Sequence, residues 1–286
     1  MKNTKYVLAA TLIVFGTSLF NQLSANESMA IMGDAGEASA ELNNLKTSVQ
    51  KENITSIIMP GDNLYSGTYK NVWNNWLSSG LKFDVVAIGN HNSGYKNEVD
   101  FFNMPAEYYS VIKNGARFIV LNSDNTNNVD EQFTWFKNAM SSAKETLIFV
   151  VFHHPTFTIS SSHTWQEKRN FQLQMRDFLK LNPGKITALI LGHDHMSQFL
   201  KFGDTPVVIA GSGREVRNEK AVSFIEDGFK IETKFLAPRT QHWGLLQISS
   251  NAQEAIITFI RVADQKRACS ARFIHSQMTL EGDCLQ

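Results

Sequence analysis

The stretch Ile186-Thr187-Ala188-Leu189-Ile190-Leu191-Gly192-His193-Asp194-His195 is an apolar run of strand length that ends in a glycine and two histidines one residue apart. A strand of this kind delivers its last side chains to the carboxyl edge of a sheet, where open α/β sheets form their ligand crevices. Four other segments share the form. Ile148-Phe149-Val150-Val151-Phe152 runs into His153-His154-Pro155, Val85-Val86-Ala87-Ile88 into Gly89-Asn90-His91, and Ile57-Ile58-Met59 into Gly61-Asp62-Asn63-Leu64-Tyr65. The first of the series is a strand over 29–32 that leads to Gly33-Asp34-Ala35-Gly36. Each segment carries oxygen or imidazole donors. Between them the periodicity predicts helices over 37–51, 71–79, 130–144 and 164–181, and after His195 the chain turns strand-rich. These patterns alone support a generic α/β layered domain.

In order and content the five blocks resemble the calcineurin-like metallophosphoesterases, and within them the purple acid phosphatases of the short, tartrate-resistant type. The family pattern reads GDxG, GDxxY, GNH followed by an acid, VxxH and GHxH. A lone Gly-Asp is common in turns, but five ordered blocks of matching type are specific, and the likeness covers essentially the whole chain after its N-terminal segment. The resemblance implies a four-layer α/β/β/α sandwich of two mixed sheets flanked by helices.

It also implies a dinuclear metal centre. Asp34, Tyr65 and His195 would hold one ion, Asn90, His153 and His193 the other, and Asp62 would bridge both. Tyr65 and Asp34 are hard donors suited to a trivalent ion, and Asn90 with two imidazoles suits a divalent one. The implied pair is Fe(III) with Fe(II), Zn(II) or Mn(II). Three anionic ligands against five positive charges leave a centre that attracts a phosphate. Gly36 stands where many calcineurin-like relatives have a histidine ligand, a difference that together with Tyr65 marks the purple acid class. Taken singly, each ligand has a bland reading as a turn, cap or core residue.

Two further histidines are candidates for the substrate. His91 follows Asn90, where the family hydrogen-bonds the phosphate or the leaving-group oxygen, and His163 lies near the spacing at which relatives carry a substrate-facing histidine. The alternative for His163 is a solvated loop. On an extended backbone His154 would point away from its neighbour His153, which suits packing better than ligation, and His242 and His275 fall outside every block. One departure stands out. Asn92 occupies the position where the family has Asp or Glu, and a neutral amide orients His91 less well than a carboxylate would.

Lys2 to Lys5, an apolar stretch and Leu23-Ser24-Ala25 together read as a secretory signal peptide over residues 1–25, followed by one catalytic domain over 26–286. The apolar stretch is shorter than the roughly 20 residues that a membrane span needs. Export to the periplasm or the exterior follows, with no stable membrane association after cleavage. Lys and Arg number 27 and so do Asp and Glu, so the formal net charge is zero and nothing in it favours nucleic acid or an anionic membrane. The partner expected is a small phosphorylated substrate. Cys269 and Cys284 are the only cysteines, and either a disulfide permitted by export or two free thiols fits them. The leading functional expectation is an exported acid phosphatase that hydrolyses phosphomonoesters by attack of a metal-held hydroxide. A phosphodiesterase or nucleotide hydrolase on the same scaffold, or a binding protein that has lost catalysis, are the other readings.

Overall fold

In the computed structural model, residues 28–284 are described; the signal peptide read over residues 1–25 lies outside them. Two sheets face each other with helices on their outer sides, the four-layer arrangement expected. The first sheet has the order β15-β14-β13-β12-β1-β2-β3 and the second β10-β11-β8-β9-β7-β6-β5-β4. In the first, β1 (Ser28–Ile31), β2 (Ser56–Met59) and β3 (Lys82–Val86) run parallel, and the antiparallel strands β12 (His242–Ile248), β13 (Glu254–Arg261), β14 (Arg267–Ile274) and β15 (Gln277–Glu281) extend it. In the second, β5 (Ala116–Val120), β6 (Ile148–Val151), β7 (Ala188–Leu191) and β9 (Thr205–Ala210) are parallel. Its margins are antiparallel: β4 (Tyr109–Lys113) on one side, and β8 (Ser197–Phe202), β11 (Phe229–Leu236) and β10 (Ser223–Glu226) on the other.

Alternation along the strands of the second sheet fills two separate cores, because successive side chains leave opposite faces. Phe118, Val120, Phe149, Val151, Ala188 and Ile190 pack between the sheets. Their neighbours Ile119, Leu121, Val150, Phe152, Leu189 and Leu191 pack against α4 (Val129–Ser142) and α5 (Arg169–Leu181) through Phe133, Phe136, Phe171 and Met175. Continuous apolar runs are the signature of such doubly covered strands.

The helices begin and end where their capping groups dictate. α1 spans Ala40–Lys51, later than the 37–51 expected, because the Ser39 hydroxyl accepts from the Leu42 amide at 3.2 Å. α2 spans Tyr69–Leu77 rather than 71–79, capped by Thr68. The helix expected over 164–181 is split into a 3₁₀ turn, Trp165–Lys168, and α5. Within the turn the Glu167 carboxylate reaches back to the Thr164 amide at 3.0 Å. Cys269 and Cys284 are disulfide-bonded, which ties the segment after β15 to β14.

α3 (Tyr95–Phe102) was not expected from the sequence, and it carries a buried carboxyl, Glu98. Glu98 accepts from the Asn63 amide at 2.5 Å and the Tyr69 hydroxyl at 2.9 Å. Burial pushes its pKa up to about 7, against the lowering effect of those two hydrogen bonds. The folded state therefore binds more protons than the unfolded chain between its ordinary value and about 7, so this group's contribution to stability declines as pH rises through that window. Glu98→Gln should flatten the decline by about 2 kcal/mol between pH 5 and 7, measured by denaturant unfolding of the metal-free protein. Parallel profiles for variant and parent would place the Glu98 proton elsewhere.

Candidate metal centre

The parallel strands of both sheets end at one edge, and the loops that follow them bring the donor residues together. Asp34 follows β1, Asp62 follows β2, Asn90 follows β3, His153 follows β6, and His193 and His195 follow β7. Asp34, Asp62 and His193 hold left-handed backbones, with φ of 57°, 56° and 66°. That region costs a non-glycine residue energy and tends to persist where a site demands it.

Gly36 explains part of the tightness. A Cβ there would lie 2.2 Å from the Asn63 carbonyl carbon, so no side chain fits at this position. Its amide donates to the Asp62 carbonyl at 3.1 Å and its carbonyl accepts from the Tyr65 amide at 2.7 Å, which fixes the loop carrying both residues.

Two groups of donor atoms result. In the first, the Tyr65 hydroxyl lies 3.3 Å from Asp34 Oδ1 and 3.2 Å from His195 Nε2. In the second, His153 Nε2 is 3.1 Å from Asp62 Oδ1, 3.2 Å from Asn90 Oδ1 and 3.2 Å from His193 Nδ1. Asp34, Asp62 and His153 offer ligand atoms within 4.8 Å of one another, which joins the groups through Asp62. Tautomers follow from the outer contacts. His153 Nδ1 donates to the Pro60 carbonyl at 3.0 Å, leaving Nε2 to face the centre, and His193 Nε2 lies 3.2 Å from Glu167 Oε2, leaving Nδ1 to do so.

The electrostatics fit a cation. So many lone pairs at contact distance repel one another unless a proton or a metal ion lies among them. Burial disfavours a charged His153, yet Asp62 outweighs it and lifts the imidazole to about 9. Asp62 in turn, raised by burial, is brought well below its ordinary value by His153 and by its hydrogen bond from the His91 amide. Burial, with Asp34 and Asp62 alongside, pushes the Tyr65 phenol far above its ordinary value. Burial and the neighbouring His153 depress His193 to about 2, so its imidazole is neutral. A metal ion beside Tyr65 would lower the cost of its ionisation.

The remaining histidines are placed as follows. The His91 ring is exposed, 4.4 Å from the Tyr65 ring between centroids. The His163 ring lies 3.8 Å from that of His193, tilted by 42°, and 6.4 Å from His195, so it belongs at the rim of the centre and not in open solvent. His154 is buried, its Nδ1 2.8 Å from the Ser123 hydroxyl, although its ring also approaches His193 at 4.5 Å. His242 bonds the Thr240 carbonyl away from the centre. His275 lines a groove of about 890 Å³ with Lys137, Asp177 and Leu181, which shares no residue with the centre. Asn92 is committed to its own loop, donating to the Gly89 carbonyl at 2.8 Å and accepting from the Gly94 amide at 2.7 Å.

Four residues were not anticipated. Glu167 braces His193. Asp194, buried between two donor histidines, accepts from the Thr158 hydroxyl at 2.7 and 2.6 Å, and burial raises its carboxyl to about 7. Arg214 lies 4.6 Å over the Tyr65 ring and pairs with Glu37, and the Arg217 amide donates to the His195 carbonyl at 2.8 Å. Only Glu167 left a local signal, the spacing Thr164-x-x-Glu167 of a capping box.

This edge-built cluster of carboxylates, imidazoles, an amide and a phenol defines a metal-dependent phosphoesterase fold. The family model for calcineurin-like phosphoesterases matches residues 28–197, and the chain belongs to that family. Among curated proteins none matches it in sequence. Solved structures share the fold. GAP50, the anchor in the inner membrane complex of Plasmodium, is 16% identical with a TM-score of 0.66, covering 87% of this chain and 89% of its own. A purple acid phosphatase from yellow lupin (Lupinus luteus) seeds is 14% identical with a TM-score of 0.61 over 85% of this chain, which spans about half, 53%, of the lupin enzyme. PhoD is 11% identical, TM-score 0.59, covering 89% of this chain and 71% of its own. At these identities the likeness is one of fold, and function has to be argued from the site.

Proposed function

We propose that the chain is an exported acid phosphatase of the purple acid type, hydrolysing phosphomonoesters at a centre of Fe(III) and a divalent ion. The observation that carries this is the approach of the Tyr65 hydroxyl to Asp34 and His195, 3.3 and 3.2 Å away, beside the second group of donors around His153. Asp34, Tyr65 and His195 would hold the trivalent ion, Asn90, His153 and His193 the divalent one, and Asp62 both. Such a pair supplies charge to hold a phosphate and to activate water for in-line displacement.

The chain's own residues do the rest. Pro60 and Glu167 fix the tautomers of His153 and His193, so that a lone pair of each faces inward. His91, beside Tyr65, and His163, beside His193, serve the substrate by hydrogen-bonding its phosphoryl and leaving-group oxygens. Proton transfer to a departing alkoxide is worth about 10²–10⁴-fold. Export rests on the signal-like residues 1–25; among the described residues no helix is long and apolar enough to cross a membrane.

The test is a paired assay on the metal-loaded protein. p-Nitrophenyl phosphate should be hydrolysed with a higher kcat/KM than bis(p-nitrophenyl) phosphate. The reverse order would make the protein a phosphodiesterase, and turnover of neither would make it a binding protein.

A further inference from the structure

Lys96, Asn97 and Asp100 of α3 are exposed, whereas Glu98 among them has no surface in water. Burying a carboxyl costs free energy that an apolar residue of the same size would not incur. Its contacts show what the carboxyl does there. One oxygen accepts from the Asn63 amide and the other from the Tyr69 hydroxyl. Asn63 follows Asp62 in the loop after β2, and its Nδ2 also donates to the Ala87 carbonyl at 2.9 Å, just beyond β3. The Tyr69 hydroxyl accepts from the Ser93 amide at 3.3 Å, in the loop after β3 that carries Asn90 and His91. A single carboxyl thus reaches both loops.

The two loops are also in direct contact, so a shift in one is felt in the other. The Leu64 amide donates to the His91 carbonyl at 3.3 Å, and a Cβ on Gly89 would meet the Asp62 amide nitrogen at 2.2 Å. The clamp itself is held firmly. Tyr69 packs on Phe101 and Phe102 with ring centroids 5.4 and 5.6 Å away, and Trp73 Nε1 donates to the Asn63 carbonyl at 2.8 Å. At the start of α3 the Tyr95 hydroxyl donates to Asp124 at 2.9 Å, and Asp124 is paired with Lys168. Asn92, the polar side chain nearest to hand in the loop after β3, is occupied with Gly89 and Gly94.

We propose that Glu98 is a positioning residue for the metal centre: by holding Asn63 and, through Tyr69, Ser93, it sets the reach between Asp62 and Asn90 and thereby the affinity for the divalent ion. This rests on the ligand assignment under the phosphatase reading above. Asp34 and His195 stand on other loops, secured by the His193 amide to Asp34 Oδ2 at 2.9 Å and the Arg217 amide to the His195 carbonyl at 2.8 Å. Cutting the clamp should therefore loosen the divalent ion and spare the trivalent one. Glutamine at 98 keeps an oxygen for Asn63 and can donate to the Tyr69 oxygen, so it should preserve part of the effect.

The test loads the metal-free protein with one equivalent of Fe(III), then titrates Zn(II) calorimetrically into the parent and into Glu98→Ala, Glu98→Gln and Tyr69→Phe. Iron retained through desalting and denaturant unfolding of each metal-free protein are measured alongside. Alanine should weaken Zn(II) binding by about tenfold or more, with glutamine and Tyr69→Phe showing smaller losses and iron staying at the parent level. Adding Tyr69→Phe to Glu98→Ala should cost little more, since both cut one path. If alanine fails to fold, glutamine and Tyr69→Phe decide, because each keeps the packing around it. Parental Zn(II) affinity in every folded variant, with only the unfolding midpoint lowered, would reduce Glu98 to a structural residue. Loss of iron in step with zinc, or a parent that takes up no Zn(II), would also overturn the proposal. Binding is read without substrate, so a parent that holds both ions and hydrolyses nothing would end the phosphatase reading while these affinities still decide the role of Glu98.

Discussion

Asp62→Asn should abolish turnover and strip the protein of bound metal while leaving it folded. The residue sits where the two donor groups meet, with Oδ1 3.1 Å from His153 Nε2 and 2.8 Å from the His91 amide. Asparagine keeps the shape and an oxygen to accept the His91 amide, so the loop has no steric reason to move. What it loses is the charge and the second anionic oxygen that would let one side chain serve two cations. Residues that merely orient metal ligands cost 10–100-fold when altered, so replacing the bridge should reduce kcat by more than about 100-fold. Metal analysis and circular dichroism on the same sample separate a lost centre from a lost fold. Near-parental turnover would remove Asp62 from the centre.

Tyr65→Phe addresses the trivalent ion. Fe(III)-bound phenolate absorbs in the visible, so the iron-loaded, oxidised parent should be violet to pink and the phenylalanine variant colourless. The phenyl ring retains the packing against His91 and beneath Arg214 but offers no donor. Asp34 and His195 remain, 3.5 Å apart, to hold an ion more weakly. The metal-free variant should stay folded, because it keeps that packing and loses only the hydrogen bond from the phenol to Asp34. A colourless parent, or a coloured variant, would place the chain among ordinary divalent-metal phosphoesterases.

The donor residues were legible because each lies within a few positions of a strand end. Apolar runs such as Ile186 to Leu191 announce the strand, and the residues after Gly192 are delivered to the edge whatever the rest of the chain does. His163 was harder, lying in a loop where only spacing from His153 was available. The structure sets it at the rim because Thr158 and Ser161 anchor that loop to Asp194 and Glu219. Arg217 left no trace, since its position depends on a backbone hydrogen bond to His195 that no local pattern encodes. α3 was missed for a related reason: eight residues give too few turns for periodicity, and its buried Glu98 reads as surface until Asn63 and Tyr69 are seen around it. Helix ends shifted by two or three residues because Ser39 and Thr68 act as caps, and charge and apolar spacing alone do not choose among neighbouring candidates.

The proposed activity requires a pair of metal ions working together in monoester hydrolysis. The most direct measurement is the p-nitrophenyl phosphate assay run as a titration of the metal-free protein, first with Fe(III) and then with Zn(II). Hydrolysis should remain near zero through the first equivalent and rise to a plateau at the second. Full activity at one equivalent, or a plateau unaffected by removing the divalent ion, would contradict a dinuclear centre.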